Sequence, residues 1–221
     1  CMSNQYWVYD IETYPNFFSV GFQNLDTNDR WIFEISPRRN DAEALWHFLK
    51  WIRDIGCNLI GYNNVGFDYP VIHEFMTIGS IRPVTVEDMY RKAQAVIDAP
   101  RNDWTHTIWE RDMFIPQIDL YKIMHFDNFA RATALKKLEV AMKSATVKDL
   151  PIQPGQDVPP ECFDDMIDYM CWDVSETAKF ARKIWDRIEF RQELDRQYGG
   201  NSRINFNDTK IGKEFFLDEL K

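Results

Sequence analysis

Cysteine pairs and long apolar runs are missing from the sequence, and basic charge is scarce. The four cysteines stand at 1, 57, 162 and 171, with no Cys-x-x-Cys pair and no Cys/His finger spacing. That pattern excludes a finger-type structural zinc and a disulfide framework, and it points to a reducing compartment. No stretch approaches the apolar length of a bilayer span, and the N-terminus lacks the basic flank and apolar core of a signal peptide. A soluble, cytoplasmic protein with no membrane partner is expected. Lys and Arg number 26 against 35 Asp and Glu, a net charge of −9, so the surface as a whole repels phosphate and opposes a broad electrostatic grip on nucleic acid. A phosphate-bearing ligand would need bound cations or a basic neighbour. There is no internal repeat and no low-complexity segment.

The 221 residues are 45% hydrophobic and 28% charged, enough for one full core and at most a small appendage, and too apolar for a disordered chain. Met2 reads as the natural start, with Cys1 an added residue. The amphipathic run at 213–217 just before Lys221 reads as an element cut short, so a fragment of a longer protein is expected.

Tyr-Trp-Val-Tyr-Asp at 6–10 predicts a buried strand ending in an acid. Residues 17–22 and 31–35 predict two more strands, joined by a turn at 24–30. A helix capped by Asn40 or Asp41 carries Leu45, Trp46, Leu49 and Ile52 at helical spacing as far as Gly56. A short strand at 58–62 and a helix at 68–76 follow, and Thr85-Val-Glu-Asp88 is a capping-box variant opening a helix to about Ala99. Residues 98–112 are polar and read as a surface excursion. Residues 115–121 are strand-like, 133–142 a short basic helix, 147–160 a proline-rich loop, and 160–198 one long helix that Gly199-Gly200 stops. Three strands, helix, strand, helix is the order of an α/β domain with a mixed sheet.

Three acidic arrangements stand out. Asp10-Ile-Glu12 places two carboxylates on the same side of an extended chain, able to share one hard cation. In Gly61-Tyr-Asn-Asn-Val-Gly-Phe-Asp68, Asp68 falls at a strand-to-helix junction. Tyr169 and Asp173 project from one side of the long helix, a turn apart. Each alone is also what a solvated strand end, a helix cap or a mixed helix surface looks like.

In this order the three resemble the DEDD (DnaQ-like) superfamily of 3′→5′ exonucleases in its tyrosine subtype, over about residues 6–185. The contexts Asp10-Ile-Glu-Thr13 and Gly61-Tyr-Asn63 to Asp68-Tyr-Pro70, with Ile118-Asp-Leu-Tyr-Lys122 and Thr133-Ala-Leu-Lys-Lys-Leu138, look most like the proofreading domain of family B and phage replicative DNA polymerases. The resemblance implies an α/β fold, RNase H-like, with a mixed five-stranded sheet flanked by helices. It implies an exonuclease domain at 1–198 and an extension at 199–221 leading toward a polymerase domain, covalently linked or associated. The implied activity releases 5′-mononucleotides from the 3′ end of single-stranded or frayed DNA, in the host cytoplasm if the source is viral.

Two divalent ions, Mg²⁺ or Mn²⁺, are implied. Asp10, Glu12 and Asp173 would hold the one that carries the attacking water, and Asp10 with Asp68 the other. Independently of any family, four converging carboxylates cannot all stay ionised without cations, and oxygen ligands suit these metals. Tyr169 stands where the other subtype has a histidine, and as a poor base at neutral pH it would orient the water. None of the histidines at 47, 73, 106 and 125 falls in the third motif. An RNA-trimming enzyme of the RNase D type shares this subtype, and a binding module without activity is a further alternative.

Asn63 would contact the strand or shape its loop, and Phe67 would turn a ring edge toward the substrate. Thr13 belongs to the first motif, and Tyr14, Phe17 and Phe18 would stack on terminal bases or face the core. Arg131, Lys136, Lys137, Lys143 and Lys148 form a basic cluster that is a solvated surface or a contact to DNA or a neighbouring domain. Trp104 and Trp109 have no assigned place.

Overall fold

A computed structural model of the chain describes residues 5–125 and 152–218. The predicted helix at 133–142, the five-residue basic cluster and the first part of the 147–160 loop lie outside the described residues.

The fold is α/β, a six-stranded mixed sheet between two helical layers, compatible with an RNase H-like arrangement. β1 (Tyr6–Tyr14), β2 (Phe17–Asn24), β3 (Arg30–Ser36) and β4 (Arg39–Asn40) form an antiparallel meander, followed by α1 (Ala42–Asp54) and β5 (Asn58–Gly61). Next come α2 (Asp68–Gly79), α3 (Val86–Asp98), β6 (Gln117–Asp119) and α4 (Leu120–Met124). α5 (Phe163–Lys183), α6 (Trp185–Tyr198) and α7 (Asp208–Asp218) complete the chain. The strand order is β4-β3-β2-β1-β5-β6, with β1, β5 and β6 mutually parallel. Five strands match the expected sheet, and β4 adds two exposed residues at its margin.

Alternation along β1 sends Trp7, Tyr9 and Ile11 into a core with α1, α2 and α3, while Val8 enters the second core with α5 and α6. Asp10, Glu12 and Tyr14 share the α5 side with Val8. β1 does not end at Asp10 as the sequence suggested. It runs on to Tyr14 because β2 pairs with it along its whole remaining length, closing a hairpin at Pro15-Asn16. β5 pairs only with Tyr6–Val8, so beyond Val8 the other edge of β1 is left unpaired by β5.

The α3 start carries the expected capping box, Thr85 and Asp88 each bonding the other's backbone N–H. The 115–121 strand shortens to three residues because Asp119 turns the chain into α4, accepting from the N–H of Tyr121 and Lys122. The 160–198 helix is two helices. Ile184 leaves helical geometry at φ −106°, ψ 17°, while buried positions Val174, Ala178, Ala181, Ile184 and Ile188 continue the helical period through the break. That continuity hides the break from the sequence.

After Gly199, Arg203 is buried against Asp195 and Glu214. Asn205 then completes the β6 edge, its amide donating to Gln117 O and its Oδ1 accepting from Asp119 N. Among the described residues no helix is long and apolar enough to cross a membrane.

Candidate metal centre and active site

Close approach of α5 to the sheet begins with two small residues on β2. Gly21 lies opposite Asp10 and Ser19 opposite Glu12, and Met170 of α5 packs on both. The Ser19 hydroxyl donates to Met170 Sδ at 3.2 Å. A Cβ on Gly21 would stand 3.2 Å from Met170 Cε and 3.5 Å from Val174. With α5 seated there, carboxylate oxygens of Asp10, Glu12 and Asp173 all come within 4.8 Å of one another.

Asp68 arrives from the other side, at the first residue of α2. The unpaired edge of β1 lets the Ile11 N–H bond both Asp68 and Asp10, and the two carboxyls share a hydrogen bond. Burial is the main reason that both carboxyls are raised above the usual carboxylate range. For Asp10, the charges of Asp68 and Asp173 add to it. A proton holding two carboxylates together in an all-oxygen cluster is what a hard divalent cation would replace, so the donor set fits Mg²⁺ or Mn²⁺.

The loop before α2 is shaped by crowding. A Cβ on Gly61 would come within 2.7 Å of Asn64 Cβ, and Asn63 takes the left-handed region at φ 57°. Asp119, buried, accepts from the backbone N–H of Asn63 at 2.9 Å and Val65 at 3.2 Å. Asn64 is fully buried and donates to Gln117 Oε1, which also receives the Tyr9 hydroxyl at 2.7 Å. β1, β6 and the loop are thereby fixed to one another.

The resulting pocket is about 390 Å³, within the range of ligand sites. Asp10, Glu12, Asp68, Tyr169 and Asp173 all line it, as do Tyr14, Asn63 and Phe67. Thr13 falls on the opposite side of β1 and does not line it. Phe17 is completely buried, its ring tilted against Phe163 at 5.1 Å with Val158 and Met166 around it, and Phe18 belongs to the core beneath the sheet. Of the three aromatics considered for base stacking, Tyr14 is thus the one at the pocket. Burial and the Glu12 charge push its phenol up to about 12.

The Tyr169 phenol is held well above its ordinary value, by burial first and then by Asp173, Glu12 and Asp10. It stays protonated and can donate but not take up a proton.

Sequence reading missed Tyr62, Glu176 and Thr177, which also line the pocket. Positions 176 and 177 follow Asp173 by three and four residues, so helical periodicity alone could have supplied them. Asp119 lies in the 118–122 segment, and its backbone partners leave no trace in sequence. Trp104 and Trp109 are exposed and stack on each other at 6.3 Å. Cys57, Cys162 and Cys171 are free thiols.

Fold and site together describe an α/β chain with a carboxylate cluster able to hold metal at the open edge of its central strand. No family model matches the chain, and no curated protein matches it. Among solved structures it is similar to the family B DNA polymerase from the hyperthermophilic archaeon Pyrobaculum calidifontis, with 19% identity and a TM-score of 0.44, over 81% of this chain and 24% of that one. The chain therefore spans about a quarter of that polymerase's length.

Proposed function

We propose that the protein is a metal-dependent 3′→5′ exonuclease of the DEDD class, tyrosine subtype, releasing 5′-mononucleotides from single-stranded or frayed DNA 3′ ends. The observation that carries this reading is the convergence of Asp10, Glu12 and Asp173 within 4.8 Å, with Asp68 hydrogen-bonded to Asp10, in a pocket also lined by Tyr169. Asp10, Glu12 and Asp173 would hold one divalent ion, and Asp10 with Asp68 a second. When bound, such a pair neutralises the phosphodiester and acidifies the attacking water.

The chain's own groups do the rest. Tyr169, kept protonated by its surroundings, donates a hydrogen bond that aims the water at phosphorus. Asn63 and Phe67 border the terminal nucleotide, and Tyr14 offers a ring for its base. Carboxylates at the pocket floor would repel an incoming phosphate, and bound cations would reverse that local sign.

The motif contexts at Asp10 to Thr13 and at Gly61 to Pro70 support an editing role beside a polymerase. In that arrangement residues 1–198 are the nuclease and 199–221 lead to the synthetic domain. The test uses 5′-labelled DNA and RNA oligonucleotides with Mg²⁺ or Mn²⁺. DNA shortened one nucleotide at a time from its 3′ end, and no shortening by Asp10→Ala or Asp173→Ala, is expected. Full activity in both variants would overturn the site, and a large preference for RNA would overturn the polymerase role.

A further inference from the structure

A second pocket, about 500 Å³, lies on the other side of the loop that carries Asn63. Asn63, Tyr121, Lys122, His125, Lys210 and Lys213 line it, from the loop, α4 with the residue after it, and the start of α7. Asn63 borders both pockets. Tyr62 of the acidic pocket meets Tyr121 of the second edge-on at 5.6 Å. The two pockets thus share the Tyr62-Asn63 wall.

Charge here runs against the molecule. On a chain of net −9, three exposed lysines converge; the charge of Lys122 reaches the buried Asp119 carboxyl, and Lys210 lies over the Phe206 ring at 3.9 Å. Nearby acids are already engaged. Asp208 is bound by Arg187 and Arg191, and Asp119 by backbone N–H groups. His125 Nδ1 is buried and has no hydrogen-bond partner among the described residues. Its ring tilts against Tyr121 at 5.3 Å.

We infer that this groove holds the nucleotides preceding the 3′ end of a single DNA strand, whose terminal nucleotide occupies the acidic pocket. The inference rests on the exonuclease reading for what fills that pocket. Lys122, Lys210 and Lys213 meet successive phosphates, and Tyr121 offers a ring for bases of any identity. An acidic pocket by itself repels a polyanion, and three exposed ammonium groups gathered one loop away give the strand its hold.

Fluorescence anisotropy of an oligothymidylate of about 12 nucleotides tests this. Titrations without divalent cations, over roughly 50 to 200 mM salt, compare the parent chain with K122Q/K210Q/K213Q and with K50Q/R53Q/K183Q, which removes equal charge elsewhere. The groove variant is expected to bind at least about 10-fold more weakly at the low-salt end, with a salt slope shallower by about 2, near 0.7 for each phosphate that a lysine no longer neutralises. The remote variant should keep its affinity within about 2-fold. No binding by the parent, an unchanged slope, or equal losses in both variants would overturn the groove. Metal-dependent hydrolysis of a thymidine 5′-phosphate aryl ester by the parent is scored separately. Its absence strikes the nuclease reading, while the binding comparison still decides the groove.

Discussion

Asp10 and Asp68 are bound to one another through a proton because burial and neighbouring charge make a second full carboxylate costly. In the metal-free protein this has a definite sign. Both groups hold protons in the folded chain at a pH where the unfolded chain, with ordinary values near 3.9, has already released them. Stability from this pair is present at acid pH and falls as pH rises through the raised folded values. Asp10→Asn keeps the hydrogen bond to Asp68 without the charge. It is expected to raise the Tm of the EDTA-treated protein at neutral pH, by about 2–4 °C for each kcal/mol relieved, and to flatten its dependence between pH 4 and 7 while abolishing nuclease activity. A lower Tm for the variant would contradict the electrostatic account. Tyr169→Phe removes a donor without a charge, and a loss of about 10- to 100-fold in kcat with unchanged Mn²⁺ affinity is expected. Unchanged turnover would remove its water-orienting role. Acids at two-residue and four-residue spacing were legible at this scale because strand and helix periods fix their direction. Phe17 was not, since which of two adjacent aromatics faces the pocket depends on the register of a strand whose hairpin the sequence did not mark.

Elements are held to the site by contacts of very different kinds. Gly61 ends β5 where a methyl group would stand 2.7 Å from Asn64 Cβ. Gly61→Ala must shift the loop whose last residue leads into Asp68. It is expected to cost about 1–3 kcal/mol in urea unfolding and to raise the Mg²⁺ concentration needed for half-maximal hydrolysis; normal metal dependence would show that the loop repacks without moving Asp68. Asp88 is a contrasting case on α3. Arg82 and the Thr85 backbone and hydroxyl hold its carboxyl well below the usual carboxylate range. That stabilisation is present above the unfolded value and disappears only as pH falls through the depressed folded value. Asp88→Asn is expected to lose about 1–2 kcal/mol at pH 7, with the deficit vanishing in strong acid and activity retained, since α3 lies across the sheet from the acids. A deficit constant from pH 7 to 2 would rule out the charge as its source. The α3 cap was legible because its chemistry is local, four residues long. The break at Ile184 and the short β6 were not, because burial decides the first and the long-range bonds of Asp119 the second.

For the whole molecule the charge of −9 first argued against a broad electrostatic grip on nucleic acid, and the folded arrangement divides that total into separate territories. Part of the acidity is gathered where cations can cancel it, and Lys122, Lys210 and Lys213 gather next to it, so the net figure says little about the surface a strand would meet. Sequence alone could count these charges but could not bring residues of α4 and α7 together, which takes the docking of the 199–218 segment on β6 through Asn205. A ligand that binds only the folded chain stabilises all of it through mass action. If the cluster holds Mn²⁺, raising the ion to 100 times its dissociation constant adds about 2.7 kcal/mol, or roughly 5–10 °C in Tm for a chain of this size. Asp173→Ala should remove most of that increase, and the increase in the parent should shrink between pH 7.5 and 5 as protons compete for Asp10 and Asp68. Scanning calorimetry across an Mn²⁺ series at both pH values measures this. A parent Tm indifferent to Mn²⁺ at pH 7.5, or an Asp173→Ala protein that responds as strongly as the parent, would mean that the acids meet for a reason other than metal.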